Sequence, residues 1–155
     1  MIETETHGHF IENLRFLEKK YGKDNLTVLF RGIEKRGEVG LWWTDDLLTA
    51  LDYAIGDSGL TSTKIANNLR VIVIPNKDLE ELLESGGSKR PQGGFINYKL
   101  PNLQTSLYPY RALTDQEVDS LKIFFDNGDF YGNIKREFSS TYSTASTKFS
   151  RELII

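Results

Sequence analysis

The chain has 155 residues, a formal net charge of −3 and no cysteine. That is the length of one domain with a single core, and the missing cysteines exclude disulfides, thiolate nucleophiles and cysteine-ligated zinc. The acidic balance argues against a broad nucleic-acid footprint, and no apolar run approaches the ~18–20 residues of a membrane span.

Residues 1–9 are acidic and polar, unlike a secretory signal, and are expected to be flexible. They hold both histidines, His7 and His9, with no further ligand at a suitable spacing. No metal is therefore expected, and histidine-based hydrolysis is disfavoured. Phe10, Leu14, Leu17 and Tyr21 recur at helical spacing, which predicts an N-terminal amphipathic helix over 10–22. Gly22 ends it, with Lys19 and Lys20 near the carboxyl end where cations are favoured.

Asn25 to Ile33 reads as a strand, Glu34 to Val39 as a charged turn, and Gly40 to Thr44 as a second short strand. Thr44 is expected to cap a helix over Leu47 to Ile55, with Asp45 and Asp46 in its first turn. Leu69 to Pro75 is the clearest strand, a near-continuous apolar run closed by proline. Asn76 or Asp78 can cap a short helix through Leu79, Leu82 and Leu83. Gly86 to Gly94 reads as a flexible basic loop carrying Lys89 and Arg90, and Phe95 to Leu100 as another strand. Pro109 makes Ser106 to Ala112 an edge or irregular strand. Thr114 and Glu117 have the spacing of a capping box, ahead of an apolar face formed by Val118, Leu121 and Phe125. The Ser- and Thr-rich stretch 138–155 reads as an ordered C-terminal extension. Strands with helices between and around them, without a repeat or linker, predict one α+β domain over 1–155.

The chemistry concentrates at two strand ends. One apolar strand delivers Arg31 and Gly32; the next brings Trp42, Trp43 and Thr44. Adjacent tryptophans on a strand face opposite ways. One belongs to the core, while the other packs under a loop or lines a cleft and stacks on a flat ligand. Arg31 either snorkels to solvent, or pairs with Asp45 or Asp46, or points into a cleft where its fork holds a phosphate or ribose. Gly32 would let a ligand approach the backbone. Phosphate loops of the Walker or G-x-G-x-x-G type do not occur.

Taken in order, Phe30-Arg31-Gly32, Gly40-Leu41-Trp42-Trp43-Thr44-Asp45 and Ala50-Leu51-Asp52-Tyr53-Ala54 resemble the front half of an ADP-ribosyltransferase-like domain. Val71 to Pro75, Tyr98-Lys99-Leu100-Pro101 and Tyr110 to Asp115 are similar to its later part. The resemblance implies a split β-sheet core with peripheral helices, NAD as cosubstrate, and cleavage of the nicotinamide–ribose bond. ADP-ribose would pass to a macromolecule, with a protein target ahead of a nucleic-acid one and no membrane or metal partner. By that resemblance Arg31 and Gly32 sit at the phosphate or adenosine ribose, Thr44 bonds the nicotinamide ribose, and Trp43 or Tyr53 stacks on nicotinamide. The family's late-strand glutamate is Asn97 here, and an amide cannot offer negative charge to a developing cation. The run from Trp42 to Asp46, with Thr49 to Asp52, also resembles the RES-type toxin branch, which degrades NAD and keeps its acid on this helix. Asp52 would then be the compensating catalytic acid. The rival readings are such an NAD-degrading toxin and a non-catalytic nucleotide- or protein-binding module. An RNA 2′-phosphotransferase is disfavoured by the acidic chain. The expected location is cytoplasmic, in its own cell or in a host that receives it as a toxin or effector.

Overall fold

The computed structural model describes residues 7–32, 42–46, 50, 66, 68–92 and 95–119. Helix α1 spans His7–Tyr21, three residues longer at its start than the apolar spacing predicts. Phe10 and Leu14 are fully buried, so the expected face is the one that packs. The helix stops at Gly22, whose φ of +89° suits only glycine. The Gly22 N–H still donates to the Glu18 carbonyl at 2.8 Å, and the Asn25 amide donates to the Tyr21 carbonyl at 2.8 Å. Two of the otherwise orphaned last-turn carbonyls are thus satisfied.

Among the described residues six strands follow: β1 Leu26–Gly32, β2 Trp42–Thr44, β3 Leu69–Pro75, β4 Ser88–Gln92, β5 Phe95–Lys99 and β6 Tyr110–Ala112. Helix α2, Asn76–Glu84, lies between β3 and β4 in the chain. They form one sheet in the order β4-β5-β2-β1-β3-β6, with every neighbouring pair antiparallel. The mixture of helices with an open antiparallel sheet is the predicted α+β class. Among the described residues, β1 and β3 share seven registered pairs, from Leu26↔Pro75 to Gly32↔Leu69, and β1 and β2 share one, Phe30↔Thr44. We call β4-β5-β2 the outer half of this single sheet and β1-β3-β6 the inner half.

Register assigns the faces, because cross-strand partners share one. Phe30, Thr44, Asn97, Val71 and Arg111 lie on the face packed by α1, where the Arg111 guanidinium is 4.6 Å from the Phe10 ring centroid. Leu29, Trp43, Ile72, Ile74 and Tyr98 lie on the other face and cluster with Leu79 of α2. β3 is buried on both faces, which is why its sequence is a continuous apolar run and not an alternation.

Several local expectations resolve differently. The predicted loop 86–94 contains strand β4. Its polar, proline-bearing sequence suits a sheet edge, where Pro91 and charged side chains discourage further pairing. The segment ahead of it is pinned by Gly87: an added Cβ would stand 2.7 Å from the Leu82 carbonyl oxygen and 2.8 Å from that of Lys99. Neither Asn76 nor Asp78 caps α2; Pro75 occupies the N-cap position and makes no side-chain cap bond. Asn76 instead accepts from the Thr27 hydroxyl, and Asp78 accepts from the Tyr108 hydroxyl at 2.9 Å. The capping box is present as predicted: the Glu117 N–H donates to Thr114 Oγ1 at 3.2 Å, and the Thr114 N–H to Glu117 Oε1 at 2.9 Å. The predicted helix 47–55 lies outside the described residues except for Ala50, which is helical and donates to the Asp46 carbonyl. The extension 138–155 lies outside them as well.

Candidate functional site

At the Gly32 end of β1 the chain places two arginines side by side. Arg31 and Arg70 are registered partners on neighbouring strands, and Ala112 is the partner of Arg70 on its other side. By alternation they lie on the face of Leu29 and Ile72, one step beyond the packed cluster. The Arg31 guanidinium carbon is 6.0 Å from the centroid of the Trp43 ring, close enough for a cation–π contact. Both arginines are part-buried, as is Gly32.

The tryptophans divide as strand geometry requires. Trp43 is the core member, 4% exposed, with its ring edge-on to Tyr110 at 6.2 Å and 66°. Trp42 is the partly exposed one, on the opposite face, with the Arg90 guanidinium 5.0 Å from its ring centroid. The expected ring for nicotinamide, Trp43, is thus already packed on both sides. Thr44 is 4% exposed, and its hydroxyl accepts the Asp46 N–H at 3.1 Å. Asn97 is the registered partner of Thr44, so these two polar side chains sit together but on the face away from Arg31. Asp52 and Tyr53 lie outside the described residues.

Asp45 directly follows β2. Its carboxylate accepts the Ile96 N–H at 3.0 Å, and its own N–H donates to the Ile96 carbonyl at 3.2 Å. Burial raises its pKa from 3.8 to about 6; the Ile96 N–H opposes this and the adjacent Asp46 adds to it. The Tyr98 hydroxyl is raised above the usual tyrosine value, first by burial and then by the negative charge of Asp45. The Gly32 end of β1 thus brings together paired guanidinium groups and an indole, a set that can bind an anion.

Arg70 is not singled out by sequence reasoning, and Asp45 enters it only as a first-turn acid and as a pairing partner for Arg31. Arg70 carries a faint signal, being the one charge in the run Leu69 to Pro75. Its meaning depends on the β1–β3 register, which local sequence does not determine. Among the described residues no group of three or more His, Asp or Glu is placed to hold a metal. No helix among them is long and apolar enough to cross a membrane. In comparisons with known proteins, the chain matches no family model, no curated protein and no solved structure.

Proposed function

We propose that the chain is an NAD-binding domain of the ADP-ribosyltransferase-like kind, in which Arg31 and Arg70 grip the diphosphate of the dinucleotide. The observation that carries this reading is their registered pairing. A diphosphate offers oxygens to both guanidinium forks at once. Ala112, the registered partner of Arg70 on its other side, is a small neighbour.

Under this reading the nicotinamide–ribose bond is cleaved and ADP-ribose passes to a macromolecular acceptor, a protein first. Asn97 cannot stabilise the developing cation by charge. Asp52 remains one candidate for that role; Asp45, which directly follows β2, is the other, and it is ionised above about pH 6. With Trp43 in the core, Tyr53 is the remaining candidate for stacking on nicotinamide. A second reading, binding without turnover, is favoured by the position of Thr44 and Asn97 on the opposite face.

Calorimetric titration with NAD tests the site. Arg31→Ala and Arg70→Ala should each weaken binding by about tenfold or more, the loss of a charge-assisted hydrogen bond. Unchanged affinity in both would place the site elsewhere. Nicotinamide release then separates turnover from binding alone. Labelled NAD separates transfer, with label retained on protein, from the hydrolysis of a RES-type toxin, with free ADP-ribose.

A further inference from the structure

The outer half of the sheet, β4-β5-β2, carries a second set of chemistry on the face away from Arg31 and Arg70. On the α1-side face of β4, β5 and β2, Arg90, Asn97 and Thr44 form one cross-strand row, and Ser88, Lys99 and Trp42 form the next. Arg90 reaches across β5 to lie over the Trp42 ring. Ser88, Arg90 and Lys99 are exposed, and Trp42 and Asn97 partly so. Among the described residues, neither Arg90 nor Lys99 makes an ion pair. The charged residues that these strands place on this face are Arg90 and Lys99, and the strands hold no carboxylate, in a chain whose formal net charge is −3. Lys89, the partner of Tyr98, lies on the other face. The charge these strands give this face is therefore positive, against the sign of the chain.

We infer that this face binds single-stranded nucleic acid. The indole and the guanidinium are flat groups that stack on one another and on nucleobases, and base–aromatic stacking contributes about 1–3 kcal/mol per base. Lys99, the registered neighbour of Trp42, stands where a backbone phosphate would pass. The Asn97 amide both donates and accepts, as a base edge requires. An acidic polypeptide would satisfy the cations but leave the indole–guanidinium stack without a planar partner. A duplex offers its bases only edge-on, so unpaired strands are the better fit. The inference is independent of NAD binding, since the two sites use opposite faces.

The test is fluorescence anisotropy of the full chain with fluorescein-labelled oligouridylate and oligodeoxythymidylate, with polyglutamate as competitor. Binding should fall roughly tenfold between about 50 and 200 mM salt, the dependence of two or three phosphate contacts to a single strand. Trp42→Ala should weaken it about tenfold, and Arg90→Ala and Lys99→Ala severalfold each. Lys20→Ala, an exposed cation on α1, should leave it unchanged. Tryptophan fluorescence should be quenched on binding in the wild type and not in Trp42→Ala, because Trp43 is buried. Absence of binding at low salt would overturn the inference. So would equal losses in Lys20→Ala and Lys99→Ala, an unaffected Trp42→Ala, or polyglutamate competing as strongly as the oligonucleotide. Arg90 and Lys99 are exposed, so their variants stay informative even if Trp42→Ala folds poorly.

Discussion

A single cross-sheet row runs from one edge of the molecule to the other: Arg90, Asn97, Thr44, Phe30, Val71, Arg111. It begins and ends on an arginine, and each lies over an aromatic ring. Arg90 is exposed on an edge strand. Arg111 is 2% exposed and grips Glu117 with both terminal nitrogens, at 2.8 and 2.7 Å. Glu117 also closes the capping box with Thr114, so one carboxylate ties β6 to the start of the last described helix. The β1-β3-β6 half thus uses its terminal arginine to hold the structure together. The β4-β5-β2 half leaves its own facing outward.

Removing Glu117 tests that difference most severely. Arg111 would be left as a buried, uncompensated charge, which costs about 3–5 kcal/mol. Glu117→Ala should therefore lower the urea midpoint sharply, or prevent folding at 37 °C. A loss below about 1 kcal/mol would mean that water reaches Arg111 and that the two arginines are not different in kind.

Asp45 sharpens the comparison at the joint between the halves. Its folded pKa, about 6, lies above the unfolded 3.8, so the folded state holds its proton more tightly. The stability this contributes is complete below about pH 4 and is lost as pH rises through about 6. Asp45→Asn keeps an oxygen for the Ile96 N–H and removes the buried charge. At pH 7.5 the variant should be about 2–3 kcal/mol more stable than wild type, from the shift at 1.36 kcal/mol per unit, and equal to it near pH 3.5. An identical pH profile for both would show that Asp45 is solvated.

The inner half is also the part that is legible from sequence. β3 announces itself because burial on both faces makes a continuous apolar run, and the Thr114–Glu117 box because its bonds are local in the chain. β4 is hidden for the converse reason. Its pairing partner β5 supplies the strand geometry, while Ser88 to Gln92 has the composition of a loop. The site was half legible. Arg31 at a strand end can be read from the chain, but its neighbour Arg70 is set by a register that spans 39 positions of sequence. Placing Thr44 and Asn97 away from Arg31 likewise required the sheet and not the motif.

Removal of the Thr114 hydroxyl should have a smaller effect, on the same inner half. In Thr114→Ala the Glu117 N–H loses its acceptor while Glu117 keeps both Arg111 and the Thr114 N–H, so the cost should be about 1 kcal/mol. A loss comparable to Glu117→Ala would mean that the hydroxyl positions the carboxylate for Arg111.

The smallest effect is expected at the other end of the row. Arg90→Ala deletes an exposed cation–π contact on an edge strand, a contact in the range of about 0.5–1 kcal/mol. The loss of stability in urea should be no more than that. The Arg90 side chain is also free to leave the Trp42 ring without exposing a buried charge, unlike Arg111 over Phe10. Its orientation can therefore be spent on a ligand at little cost to the fold. If Arg90→Ala proved as destabilising as Thr114→Ala, the Arg90–Trp42 stack would be part of the architecture. The contrast between the two ends of the row would then be one of degree.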